Sequence, residues 1–249
     1  MTGYNEAFII DGKKKDELIA EDPKSAEIIR PILRGRDIKR YGYEFADLYL
    51  INSHNGVKER DIKPVDINDY HAIKRWLDFG GVTYNGKIYE GYKQIEKRAD
   101  QGNTPYNLRN CAYMEDFSKQ KIVWKRVGSI LRFSYDESHA LALDSTCFAT
   151  GQNIKYLVAI LNSKFGKYLM KDSPKTGTGD LLISVQAIEP LLIPIPEKEI
   201  SFLLEKTIDE ILIAINNQKP ISEYEDKIDL IVYDMLGFTD QEIEFIELQ

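Results

Sequence analysis

The spacing of apolar residues changes character along the chain. Between Tyr43 and Ala149 they fall in short, turn-bounded runs rich in aromatic and β-branched side chains: YEFADLYLI, GKIYEGY, KIVWKRV, ILRFSYD and LALDSTCFA. Such runs predict strands. One interruption has helical spacing, Tyr70–Phe79, with Ile73, Trp76 and Leu77 on one face. Upstream, Asp11–Gly12 signals a turn, and Asp22–Pro23 ends the helix that follows it. From about Asn153 to Lys171 the period becomes 3.6, carried by Ile154, Leu157, Val158, Leu161, Phe165, Tyr168 and Leu169, which predicts one helix.

A Ser/Gly/Thr loop, SPKTGTGD (Ser173–Asp180), precedes a short strand and the proline-punctuated LLIPIP (Leu191–Pro196). Ile200, Leu203, Leu204, Ile208, Ile211, Leu212 and Ile215 then form a helical stripe that ends before Pro220. A second helix, Ser222 to Leu236, would bury Tyr224, Ile228, Ile231, Val232 and Met235. Gly237 stops it, and Thr239 with Glu242 reads as a capping box for a last short helix. The expected fold class is α/β (α+β): a mixed-sheet body over residues 1–195, then a helical segment over 196–249.

Composition narrows the class without naming it. No apolar run approaches the ~18 residues of a membrane span, and no signal peptide opens the chain. Two cysteines, Cys111 and Cys147, give no disulfide framework, which points to a cytoplasmic setting. Three scattered histidines exclude a Cys/His zinc cluster. The net charge of −7 is unevenly spread. Residues 196–249 hold 4 Lys/Arg against 14 Asp/Glu, whereas residues 1–195 hold 29 against 26. A polyanion would meet the body and be repelled by the tail.

Catalytic motifs dissolve on inspection. Asn103–Tyr106 (NTPY) resembles an amino-methyltransferase motif, but no glycine-rich cofactor loop precedes it, and a turn entering the sheet explains it. Lys175–Gly179 (KTGTG) lacks the Gly-Lys-Ser/Thr of a P-loop. Glu225-x-Lys227 has no matching Pro-Asp strand, and His54 and His139 have neither a serine elbow nor metal-ligand spacing. No catalytic residue, metal or cofactor is therefore expected in these residues.

Two basic features remain. RPILRGRDIKRY (Arg30–Tyr41) gathers Arg34, Arg36, Lys39 and Arg40 around a glycine, beside Tyr41 and Tyr43. Such a turn either grips phosphates and base edges or is a solvated turn in which Asp37 pairs with an arginine. Lys121–Val127 and Ile130–Asp136 are separated only by Gly128–Ser129, a two-residue hairpin signal. That register sets Trp124 opposite Phe133, Lys125 opposite Arg132, and Arg126 opposite Leu131. The two opposed cations would either share an anion or splay toward solvent and carboxylates. Lys175 adds a cation in the mobile-looking loop.

RPILRGRDIKRY followed by LYLINSHNG (Leu48–Gly56) resembles the opening of the TaqI-like specificity domain. That is the C-terminal target-recognition part of type IIG restriction–modification enzymes and related adenine-specific DNA methyltransferases. GYNEAFIID (Gly3–Asp11), TPYNLRNC (Thr104–Cys111), KIVWKRV, YLVAILNSK (Tyr156–Lys164), LLIPIP and DKIDLIVYDMLGFTDQEIEFIE (Asp226–Glu247) are similar to later family segments, in family order. Type I specificity subunits share the pattern of a recognition domain followed by IPIP and a long helix. The resemblance implies a bacterial, cytoplasmic protein that binds double-stranded DNA through Arg34, Arg36, Lys39, Arg40, Lys125, Arg126, Arg132 and Lys175. It also implies partner N-terminal methyltransferase or nuclease domains, absent here, which would carry S-adenosylmethionine and possibly Mg. With Met1 directly before TGYNEAF, the chain reads as a fragment cut at that boundary. The competing expectation is a protein-interaction module docking those domains or another partner through the helical tail. Either way, the two tail helices should pack as an acidic hairpin against the body or the absent domains, away from DNA.

Overall fold

The computed structural model describes residues 5–80, 82–84, 87–89 and 95–248. By compactness the chain forms two units, residues 1–32 with 46–116 and residues 33–45 with 117–249. Each is described on its own.

In the first unit Asp11 ends strand β1 (Ile9–Asp11) and caps helix α1 (Gly12–Glu21), accepting a hydrogen bond from the Lys14 amide at 2.8 Å. Strand β2 (Ile29–Leu33) passes out of this unit at its last residue. Strand β3 (Leu48–Ile51) lies antiparallel between β1 and β2, with Ile10 opposite Tyr49 and Arg30 opposite Leu50. Helix α2 (His71–Phe79) buries Ile73 and Leu77 of the expected face together with Ala72, and leaves Trp76 half-buried. β4 (Val82–Tyr84) and β5 (Lys87–Tyr89) pair antiparallel. The rest of the expected GKIYEGY strand, Gly86 and Glu90–Tyr92, lies outside the described residues, as do Gly3 and Tyr4.

The second unit is built on β6 (Lys121–Lys125), flanked antiparallel by β8 (Phe133–Asp136) and β10 (Thr146–Thr150). Between them come the short β7 (Val127–Gly128) and β9 (Leu141–Ala142). The expected register survives: Trp124 sits opposite Phe133, their rings 5.9 Å apart. The expected two-residue turn does not. Pairing with β8 stops at Trp124, Lys125 keeps only its partner Thr146 on the other edge, and Val127 turns away to pair with Leu182 of β11 (Leu181–Leu182). Lys125 and Arg132 are thus not a cross-strand pair, because Val127 and Gly128 join a second ribbon and residues 129–132 loop back to β8.

The expected helix over Asn153–Lys171 is two, α3 (Ile154–Asn162) and α4 (Lys164–Leu169). Ser163 takes extended backbone and caps α4, its Oγ accepting from the Gly166 amide at 3.0 Å. Asn162 uses its side chain as a strand would use its backbone: Oδ1 accepts from Phe133 N at 3.1 Å, and Nδ2 donates to Phe133 O at 2.7 Å. Apolar spacing continues through the break, so periodicity alone does not reveal it.

α5 (Lys198–Asn216) and α6 (Ser222–Leu236) match their patterns, and Gly237 at φ 66° closes α6. Thr239 and Glu242 form the expected capping box of α7 (Asp240–Glu247). Leu204, Ile208 and Ile211 of α5, Ile228 and Val232 of α6, and Val158–Leu161 of α3 share one core. Each such side chain contributes roughly 1.5–3 kcal/mol by leaving water. The helical segment therefore belongs to the same compact unit as the β6 sheet, and the chain does not divide at residue 195 by contact.

Candidate nucleic-acid interface

The basic stretch folds as a tight turn, Gly35–Asp37. Arg34 lies across it and makes a forked contact with Asp37, Nε to Oδ2 at 2.9 Å and Nη2 to Oδ1 at 2.8 Å. The Arg34 amide donates to the same carboxylate at 2.9 Å. Burial pushes the Asp37 carboxyl up, but these hydrogen bonds outweigh it and leave the group below its ordinary value. The solvated-turn expectation holds for Arg34. Arg36, between the two, points outward and is exposed.

Ser145 ties this turn to the end of β6. Its Oγ accepts from Gly35 N and its carbonyl from Arg126 N, both at 3.1 Å. The packing at Gly35 is close, since a Cβ would stand 3.0 Å from the Ser145 carbonyl and 3.1 Å from Lys125 Cγ. The Lys125 stem thus lies on the turn that carries Arg36. Arg132 joins Lys125 in lining a narrow cleft with Gly128 and Ile183. The Arg126 carbonyl accepts from Ile183 N at 2.8 Å, and Lys175 bridges to Leu181 in the same ribbon. Of the eight cations expected on sequence, Arg36, Lys125, Arg126, Arg132 and Lys175 collect here. None of the five forms an ion pair among the described residues, although the Arg36 charge helps to lower the Asp37 carboxyl.

The other three are engaged. Lys39 pairs with Glu44 at 3.1 Å. Arg40 lies over the Tyr41 ring, donates to Asn162 O at 2.7 Å and pairs with Glu225 of α6 at 2.6 Å. The tail is therefore not remote from the basic turn, since its own carboxylate holds Arg40.

A cleft of about 650 Å³ runs between Arg40, the Ser129–Leu131 loop, α4 and α6. It is lined by three lysines the sequence reading missed, Lys164, Lys167 and Lys171, and by Lys175. Their spacing on a helix face was the available signal, hidden by the apolar stripe that shares the segment. Glu225, Asp226 and Asp229 face them. Lys164 pairs with Glu247 at 2.7 Å and with Asp229 at 3.8 Å. Burial raises the Asp229 carboxyl above its usual value, only partly offset by the Lys164 amide donating at 2.8 Å.

Among the described residues no three His, Cys, Asp or Glu side chains stand together as metal ligands, and no helix is long and apolar enough to cross a membrane. His54 accepts from Gly56 N at its Nδ1, and burial lowers its pKa, a structural setting. Burial likewise raises the thiols of Cys111 and Cys147.

The family model of the TaqI-like C-terminal specificity domain matches residues 30–191, from the strand before the basic turn through the β6 sheet and its helices to the start of LLIPIP. The chain belongs to that family. Among curated proteins this specificity domain is 22% identical over 239 residues to the type II methyltransferase M.MjaIV of Methanocaldococcus jannaschii, covering 93% of this chain and 75% of that protein. Among solved structures it is similar to the type IIL restriction–modification enzyme MmeI in complex with DNA. The TM-score there is 0.62 at 12% identity, over 96% of this chain. The chain spans 32% of the MmeI chain. The segment beyond Leu191 lies outside the family match, although it completes the core of the second unit.

Proposed function

We propose that this specificity domain recognises a sequence in double-stranded DNA for a restriction–modification enzyme or adenine-specific DNA methyltransferase. The base chemistry and S-adenosylmethionine would belong to partner domains. The observation that carries the reading is the set of five cations around Ser145 and the β7–β11 ribbon that form no ion pair among the described residues, in a chain whose net charge is −7. Unpaired cations held on strand ends and a pinned turn are matched to phosphates. MmeI, the similar enzyme, is seen bound to DNA, which supports the assignment.

The test is binding of the chain to labelled duplex DNA across a salt series. Five phosphate contacts predict a slope of log K against log salt near about −4.5. Arg36→Ala, Lys125→Ala and Arg126→Ala combined should remove over half of that slope while the fold persists. No binding to any duplex at low salt, or an unchanged slope in the triple variant, overturns the proposal. The rival reading, docking through the tail, loses its main support because the apolar stripe of α5 is used inside the unit.

A further inference from the structure

The first unit holds a polar cluster that the basic interface does not use. Loop 52–57 and loop 101–110 are bound together by Leu108 N donating to Ser53 O at 2.9 Å. The buried Asn107 side chain donates to Val65 O at 2.9 Å. On this frame sit Asn55, Asn103 and Asn110, the last two exposed, with Arg109 exposed beside them and without a partner among the described residues.

The direction of each amide follows from one backbone donor. Asn103 N donates to Asn55 Oδ1 at 2.6 Å, so the Asn55 oxygen faces that amide. Its Nδ2 must then be the donor on the other side, and it reaches Asn103 Oδ1 at 3.2 Å and Asn110 Oδ1 at 2.6 Å. Gly102 makes the approach possible, since a Cβ there would fall 2.5 Å from Asn55 Oδ1. Both outer amides consequently turn their oxygens inward and their NH2 groups outward. Together with the Arg109 guanidinium, these NH2 groups make the outward side of the cluster rich in donors.

A free asparagine matches adenine, because its amide accepts from N6 while donating to N7. Here the oxygen that would accept is turned inward, toward Asn55 Nδ2, and away from a base edge. The base edge complementary to donors alone is that of guanine, whose O6 and N7 are adjacent acceptors in the major groove. We infer that Asn103, Asn110 and Arg109, oriented by Asn55, form a base-reading patch selecting guanine in the DNA target. This rests on the proposed DNA-recognition function and assigns to it a specificity element separate from the phosphate-binding cations.

The experiment is selection of bound duplexes from a randomised library by the full chain, followed by affinity measurements on single-position variants of the selected sequence. Wild type should select guanine at one or two positions and lose roughly five- to hundredfold when one is replaced. Asn110→Asp and Asn103→Asp keep an oxygen for Asn55 and present a second one outward, so one guanine position should change to cytosine, whose N4 donates. Asn55→Ala frees both amides to rotate and should admit adenine at those positions. Circular dichroism melting confirms that each variant is folded. An unchanged selected sequence in both aspartate variants overturns the inference while leaving DNA recognition standing. Equal weakening toward every duplex also overturns it, because that marks phosphate contacts. Wild type failing to bind any duplex overturns both.

Discussion

Strand β6 carries a lysine at each end, and the two live in opposite environments. Lys121 is wholly buried, 2.5 Å from the equally buried Asp136 opposite it on β8, and donates to Phe117 O at 2.9 Å. Lys125, four residues on, is exposed and has no acidic partner among the described residues. Sequence type and strand are the same, so the neighbours decide the role. At one end β8 supplies a carboxylate in register. At the other, β8 has ended, and the chain brings in the Gly35 turn, Arg126 and Arg132 instead. Charge that the fold neutralises is structure, and charge that it leaves open is available to a ligand.

The largest effect should come from breaking the buried end. Lys121→Met leaves Asp136 charged without its cation, and breaking a buried pair costs about 3–5 kcal/mol. Denaturant unfolding would show it as a lowered midpoint. Lys121→Met with Asp136→Leu should recover only part, because Asp136 Oδ1 also accepts from Ser138 N and Oγ, at 3.0 and 2.6 Å. A single variant as stable as wild type would mean that the pair does not hold β6 to β8. Lys125→Ala, by contrast, should shift stability by no more than ~0.5 kcal/mol.

The same contrast recurs within the basic turn, at smaller scale. Asp37→Asn removes the fork to Arg34 and should cost about 1–3 kcal/mol at pH 7. The sign of its pH dependence follows from the lowered carboxyl. Stability from this group is present above the unfolded value near ~4 and is lost as pH falls through the still lower folded value. Wild type and variant should converge in acid. Arg36→Ala, next in sequence, should leave the melting curve alone.

These pairs mark how much was legible. Strand alternation and the apolar pair Trp124–Phe133 were enough for the β6–β8 register, and caps at Asp11, Gly237 and Thr239 were enough for helix ends. The basic turn was legible as a cluster but not by member. Which arginine Asp37 would take, or that Glu225 would arrive at Arg40 from nearly two hundred residues away, depends on tertiary approach. The break at Ser163 was hidden because the apolar period runs on through it, and the departure of residues 126–128 because β11 supplies a competing partner. The fold class follows from local pattern, whereas the availability of a cation follows from non-local pairing.

On DNA, the exposed end should respond where the buried end does not. Lys125→Ala and Arg126→Ala should each weaken binding to all duplexes alike, several-fold at low salt, and reduce the salt slope by about 0.9. Arg40→Ala should change the slope little, because Glu225 already neutralises that guanidinium. Titrations of the three variants at several salt concentrations separate them. Equal slopes for Arg40→Ala and Lys125→Ala would erase the distinction between paired and open cations.

The smallest effect concerns a buried carboxylate that, unlike Asp136 and Asp37, lacks a dedicated cation. Asp229 is 7% exposed, like Asp136 inaccessible, but its cation Lys164 stands 3.8 Å away, is about half exposed, and is shared with Glu247. Burial therefore dominates and raises its pKa. A carboxyl raised in the folded state contributes stability that is full below its unfolded value and is lost as pH rises through the folded one. At neutral pH the charged form is a cost. Asp229→Asn keeps an oxygen to accept from Lys164 N and gives up only a long, solvent-screened ion pair worth under ~1 kcal/mol. The variant should melt at or slightly above the wild-type temperature near pH 8, with the difference closing as pH falls and the wild-type carboxyl protonates. Melting curves at three pH values test this. A clear loss of stability at pH 8 would place Asp229 with Asp136, as a charge the fold needs rather than one it tolerates.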